Sequence, residues 1–148
     1  MKDWIAHFRA AVRGLEVSHV WRGYGSALFL EFGSLTPTTR RDGRPGNPDG
    51  ELGLMIQWSW RIEDGRSIAC GSWSDEALWP SIFARLVGRR VTDVSIFGRL
   101  PELLLSLEGD LHVASFMTAE GDPEWTLFDR RGGGCIAVGC KSGLLVAE

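Results

Sequence analysis

Histidines, cysteines, carboxylates and tryptophan–arginine groupings are the residues here that could carry chemistry. The histidines are His7, His19 and His112. None forms a His-x-x-x-His or His-Glu-x-x-His pair, and no Cys-x-x-Cys occurs, so a zinc site would need scattered ligands. No metal is expected. Cys135 and Cys140 lie an odd number of positions apart, on opposite faces of a strand, which suits neither chelation nor a disulfide. Cys70 and Cys135 read as small buried core residues sharing one repeat position. Gly23-x-Gly25 lacks the third glycine and the helix of a nucleotide loop, and no Gly-x-Ser-x-Gly elbow is present. No carboxylate pair sits in an apolar stretch that would tune it for acid–base work. Glu31 and Glu108 read as solvated strand positions. The sequence therefore assigns no catalytic residue and no cofactor.

The seven tryptophans carry more information. Trp4, Trp58, Trp60 and Trp125 fall on apolar faces and read as core. Trp21, Trp73 and Trp79 fall near element ends, where full burial is harder. Arg40, Arg41 and Arg44 lie in a segment rich in proline and glycine. Tryptophan and arginine are the residues most enriched at binding hot spots. The candidate binding surface is therefore Trp73 and Trp79 with Arg40, Arg41 and Arg44, and its expected partner is another protein or a second copy of this chain.

Composition sets the limits. The 148 residues are 44% hydrophobic and 24% charged, with a net charge of -3. That is a soluble globular profile of one domain, 1–148. A net negative charge argues against nucleic-acid binding, which needs a basic field. No run of eighteen apolar residues suggests a membrane span, and Met1-Lys2-Asp3-Trp4 opens no signal peptide. Three cysteines, an odd number, point to the cytoplasm.

Two helices and a series of strands must position these residues. Trp4, Ile5, Phe8, Ala11 and Val12 recur at helical spacing over residues 3–13, before Gly14. Residues 75–87 repeat the pattern with Leu78, Ile82, Phe83, Leu86 and Val87, before Gly88. Leu28, Leu30 and Phe32 alternate as one strand face, and residues 51–63 read as one long strand. Asp64-Gly65 is a hairpin turn with Ser67 to Gly71 as the returning strand. Val91 and Val94, then Leu103 to Leu107, Leu111 and Val113, Trp125 to Asp129, Cys135 to Cys140 and Leu144 to Ala147 give further strands. Residues 34–50 break all periodicity and read as a structureless stretch, either a functional loop or a mobile insertion.

The halves match each other. Phe8, Val12, Gly14, Val17 and Val20 align with Phe83, Val87, Gly88, Val91 and Val94, and Leu28, Leu30 and Phe32 with Leu103, Leu105 and Leu107. Cys70 aligns with Cys135. The loop is then an insertion in the first copy. The expected fold is α+β, with two pseudo-symmetric helix-plus-antiparallel-strand repeats, roughly 1–74 and 75–148, forming one curved-sheet domain.

The helix–Gly–x–x–Val–x–x–Val frame, Leu28-Phe29-Leu30-Glu31-Phe32-Gly33, Trp58-Ser59-Trp60-Arg61-Ile62-Glu63 and Gly109-Asp110-Leu111-His112-Val113 resemble a bacterial family of small α+β proteins. Some of its members are suspected immunity-type proteins of polymorphic-toxin systems. The resemblance implies a fold and a bacterial, cytoplasmic setting, and transfers no functional residue. The expected function is a non-enzymatic protein-interaction domain, with an immunity-type inhibitor of a bacterial toxin as the form the resemblance implies. Its rivals are a small-ligand binder with a pocket between the two halves, and an enzyme of unrecognised chemistry.

Overall fold

The computed structural model describes residues 2–148. Helix α1 spans Trp4–Val12. It starts because the Asp3 carboxylate accepts the free Ala6 N–H at 3.0 Å, and it stops where Gly14 takes a left-handed φ of 86°. Helix α2 spans Trp79–Leu86, with Pro80 in its first turn, where a missing N–H costs nothing. A single 3-10 turn over Glu76–Leu78, capped by Asp75, leads into it.

The strands are β1 Val17–Arg22, β2 Leu28–Phe32, β3 Leu52–Ile56, β4 Trp60–Asp64, β5 Ser67–Gly71, β6 Val91–Phe97, β7 Glu102–Leu107, β8 Leu111–Ser115, β9 Trp125–Asp129, β10 Ile136–Lys141 and β11 Leu144–Ala147. They form two antiparallel sheets, ordered β1-β2-β3-β9-β10-β11 and β5-β4-β8-β7-β6. The chain is thus α+β.

The expected long strand over residues 51–63 is two strands in different sheets. The break falls at Gln57–Ser59, where the chain passes from β3 to β4. There the Gln57 N–H donates to Glu124 O and the Phe116 N–H donates to Ser59 O. Apolar alternation runs unbroken through the crossing because both strands face the same core, which is why the pattern conceals it. Trp58, at the crossing, is only half-buried. A second crossing joins β8 to β9.

One core lies between the sheets. Phe8, Leu28, Leu30, Phe32, Ile62, Leu86, Val94 and Leu103 are sealed in it, with the fully buried rings of Trp60 and Trp125. Each ring places its one polar atom on a carbonyl of a hairpin turn. The Trp60 indole donates to Ser26 O at 2.6 Å, and the Trp125 indole donates to Pro101 O at 3.1 Å.

Where the first strands of the two sheets meet, the backbone bonds are reciprocal. The Gly14 N–H donates to Val91 O and the Gly88 N–H to Val17 O; the Val91 N–H donates to Leu15 O and the Val17 N–H to Arg89 O. Glu16 and Arg90 face each other in an antiparallel bridge at the centre.

The segment 34–50 is not structureless. It rises as an irregular hairpin, with bridges between Thr36 and Asp49 and between Thr39 and Pro45. Its proline and glycine content hides this, because neither residue type contributes to strand periodicity. Glu31 anchors its return and is buried, not solvated. The Glu31 carboxylate accepts the Gly50 N–H at 3.0 Å and Arg130 Nη1 at 2.9 Å. Gly50 must be glycine, since a Cβ there would lie 2.5 Å from Phe32 O.

Candidate interaction surface

The proposed tryptophan–arginine surface does not assemble as one cluster. Trp79 is 3% exposed. Its ring packs 5.1 Å from Trp60, and its indole N–H donates to Gly71 O at 3.0 Å. Its role is to pack the core, because position 79 begins α2 on the buried side. Trp73 is 82% exposed, on the turn after β5. Arg40, Arg41 and Arg44 are exposed on the hairpin beyond β2, where Arg44 is held by Asp42 at 2.6 Å. That hairpin leaves the Val17 end of β1, whereas Trp73 lies toward its Arg22 end. Five residues of strand, about 17 Å, separate those ends.

A groove runs between them. It lies along β1, the outer strand of its sheet, and under α2, and is lined by His19, Val20, Arg22, Trp79, Phe83 and Val87 among others, with a volume of about 440 Å³. At one end His19 Nε2 and Asn47 Oδ1 of the hairpin are bonded at 2.9 Å. At the other end Arg22 pairs with Glu76 at 2.8 Å and its guanidinium lies 5.0 Å from the Trp79 ring centre. The polar groups at both ends are satisfied by each other. What faces outward between them is apolar, and Val87 is 47% exposed.

The opposite junction, α1 on β6, is built differently. There Arg9 Nε donates to Val94 O at 2.9 Å and Arg13 Nε donates to Thr92 O at 3.1 Å. Both guanidiniums also pair with Asp93, at 3.0 and 3.5 Å. The edge of β6 is thereby capped by arginines from α1. The spacing that separates Gly14 from Gly88 is one residue shorter than the one that set Phe8 against Phe83 and Val12 against Val87. Burial favours it, since it places buried Val12 on buried Leu86. In that register Arg9 falls on Phe83, Arg13 on Val87 and Asp93 on His19. At β1 no side chain donates to Val20 O or Ser18 O among the described residues, and the helix presents hydrocarbon. Sequence reasoning missed this contrast; its signal was that α1 carries arginines at positions 9 and 13 on the side facing β6, whereas α2 carries Phe83 and Val87 beside β1.

Other titratable groups are engaged in structure. His7 Nε2 is 2.9 Å from Asp129. Asp129 is also gripped by Arg131, whose guanidinium is the main reason its carboxyl sits well below the usual carboxylate range. His112 bridges Ser106 and Asp110, at 2.9 Å each. Burial pushes the Cys70 thiol up to about 11, while Cys135, expected inside, is exposed. Cys70 faces Ile62 in the β4–β5 pair and Cys135 precedes β10, so the two do not occupy matching strand positions. No group of three or more His, Cys, Asp or Glu side chains is placed to hold a metal ion among the described residues. Among the described residues no helix is long and apolar enough to cross a membrane.

Comparison of the chain with family models, with curated proteins and with solved structures finds no match.

Proposed function

We propose that the chain is a non-enzymatic protein-interaction domain of the bacterial cytoplasm, an immunity-type inhibitor that docks its toxin along the β1–α2 groove. One observation carries this reading: the edge of β1 lacks the arginine cap that closes the edge of β6. An uncapped outer strand presents free backbone groups beside an apolar trough, the arrangement that accepts an extended segment of another protein by strand addition. The occupant is such a segment, donating N–H groups where Arg9 and Arg13 donate on the other side, with apolar side chains against Phe83 and Val87. Trp73 and the Arg40–Arg44 hairpin flank the two ends and would contact the rest of the partner.

The same comparison supports reading residues 1–74 and 75–148 as pseudo-symmetric repeats in one domain of curved sheet. The order β1-β2-β3-β9-β10 is matched by β6-β7-β8-β4-β5. Register shifts occur at Val17/His19 and at Val91/Asp93. Reciprocal bonds about Glu16 and Arg90 are what a two-fold relation requires. The groove lies between the halves, where a small-ligand pocket was the rival expectation. Its polar groups are paired with one another and do not converge on a vacant point, which favours a protein strand over a polar small molecule.

The test is protection of cells from a toxin encoded beside this gene. Val87→Arg places an arginine where Arg13 sits at the other edge, so the fold tolerates it and the β1 edge becomes capped. Protection and complex formation should be lost in Val87→Arg and weakened in Trp73→Ala, with the melting temperature unchanged. Full protection by Val87→Arg would refute the groove as the docking site.

A further inference from the structure

A second concavity lies away from the groove, at the end of the sheets where β7 begins and β10 turns into β11. Its volume is about 510 Å³, and its lining includes Glu102, Glu120, Glu124, Phe116, Met117 and Cys140, with no lysine or arginine. The two inner carboxylates are held differently. Glu102 Oε2 accepts the Met117 N–H at 2.9 Å and the Ser115 hydroxyl at 3.1 Å. Glu124 is fixed through its backbone, its N–H donating to Cys140 O and its carbonyl accepting from Gln57, both at 2.9 Å. Its side chain lines the cleft, the residue is only 6% exposed, and Glu124 Oε2 has no hydrogen-bond partner.

A buried carboxylate oxygen without a donor is costly, and a native structure that keeps one calls for an explanation. The cleft supplies no internal donor of charge. The Cys140 thiol is kept neutral, since burial, a hydrogen bond toward the Glu124 carboxylate and that group's charge push it up to about 12. The thiol brings no positive charge, and Glu124 Oε2 still has no partner. Lys141, the next residue, points to Asp122 at 3.3 Å instead. Burial also raises the Glu102 carboxyl above its usual range, with the charge of Glu124 adding to the effect. Both carboxylates would be stabilised by a cation entering between them.

The first half of the chain lacks this arrangement. Glu124 directly precedes Trp125 as Ser59 precedes Trp60; Glu102 precedes Leu103 as Ala27 precedes Leu28. Cys140 pairs with Trp125 where the Ser72 N–H bonds Trp60 O. Neither carboxylate is therefore required to build the crossing or to seat the tryptophan. Phe116 and Met117 line the mouth with surface that suits a hydrocarbon body.

We propose that this cleft binds a small primary alkylammonium ion, its N–H groups donating to Glu124 and Glu102 and its alkyl chain lying against Phe116 and Met117. A primary ammonium fits because the vacant acceptor needs an N–H donor and the surrounding charge is negative. No group of three or more His, Cys, Asp or Glu side chains among the described residues is placed to hold a metal ion, whereas an alkylammonium needs only the two inner carboxylates.

The experiment titrates the full chain with n-butylammonium chloride, tetramethylammonium chloride and magnesium chloride separately, following amide resonances by NMR. Saturable shifts of Glu102, Met117 and Glu124 are expected with n-butylammonium, and binding about tenfold or more weaker with tetramethylammonium, which cannot donate. Glu124→Gln should weaken n-butylammonium binding by about tenfold or more, a ratio typical of a lost charged hydrogen bond. The wild-type map does not depend on how that variant folds. Absence of saturable shifts at these residues, equal binding of tetramethylammonium, tighter binding of magnesium, or full binding by folded Glu124→Gln would each overturn the proposal.

Discussion

Glu31 and Arg130 are joined by a 2.9 Å ion pair although they lie 99 positions apart. The carboxylate is fully buried while the guanidinium keeps partial access to water, and its Nη1 also donates to Gly50 O at 3.0 Å. This pair ties β2, the return of the 34–50 hairpin and the end of β9 together. The Trp21 indole adds a third donor to the carboxylate at 3.3 Å.

Removing the acceptor leaves several donors without a partner. Glu31→Ala should cost about 3–5 kcal/mol, the range for breaking a buried pair from one side. Urea unfolding of Glu31→Ala, Arg130→Ala and the double variant checks this. Strong non-additivity is expected, since the second removal acts on a pair already broken. Additive losses would mean that the two residues act independently.

Asp129 gives the stability a defined dependence on pH. Its folded carboxyl is held below the ordinary range, chiefly by Arg131, with His7 contributing. A depressed folded value stabilises the native state above the unfolded value of about 4, and that contribution is lost as pH falls further. Asp129→Asn should therefore melt lower than wild type at pH 7. The gap should narrow steadily below about pH 4 as the wild type loses the same interaction. A gap independent of pH would assign the loss to packing instead.

How much of this was legible in the sequence depends on which force set each feature. The helix over Trp4–Val12 and the Asp64-Gly65 hairpin follow from local spacing and turn chemistry and stand where expected. The helix expected over 75–87 is instead a 3-10 turn followed by Trp79–Leu86, with Leu78 and Val87 of its expected apolar stripe exposed. Residues 51–63 do not, because alternation records which side faces the core and not which sheet supplies the hydrogen bonds. Glu31 read as solvated for a similar reason: its partner, Arg130, is distant in sequence, and burial of a charge depends on such a partner. Trp79 read as a surface residue because it sits at a helix start, yet Gly71 O lies within reach of its indole. The open edge of β1 needed both helices in place before Val87 and Arg13 could be compared.

The 34–50 hairpin should be removable beyond its stem. Thr36 and Asp49 exchange both backbone bonds, at 2.7 and 2.9 Å, so a two-residue Asn-Gly turn can close the strand pair there. Replacing residues 37–48 in this way should change stability by no more than about 1 kcal/mol, because shortening a surface loop alters closure entropy little. Chemical denaturation measures it. A loss of several times that amount would show that the His19–Asn47 contact supports the fold.

The three thiols should separate by reactivity. Cys135 is exposed, whereas Cys70 and Cys140 are buried with values raised to about 11 and about 12. Only thiolate attacks a disulfide reagent, so at pH 8 one thiol should react in the native protein and all three in guanidinium. Rapid native labelling of Cys140 would mean that the wall beside Glu124 opens.

The two sheet crossings also determine how this chain must be made. β3 and β4 emerge during synthesis well before β9 and β8, the neighbours that cover their open sides. Until those arrive, both carry unpaired backbone and apolar faces. Pairings between segments so distant in the chain form slowly, because closing the long intervening loop precedes any gain from contact. A nascent first half is therefore an exposed, sticky intermediate that persists until the last third of the chain has been made. Slow translation through Ser74–Val91 would lengthen that interval, and a chaperone acting there would shield β3 and β4 from other chains.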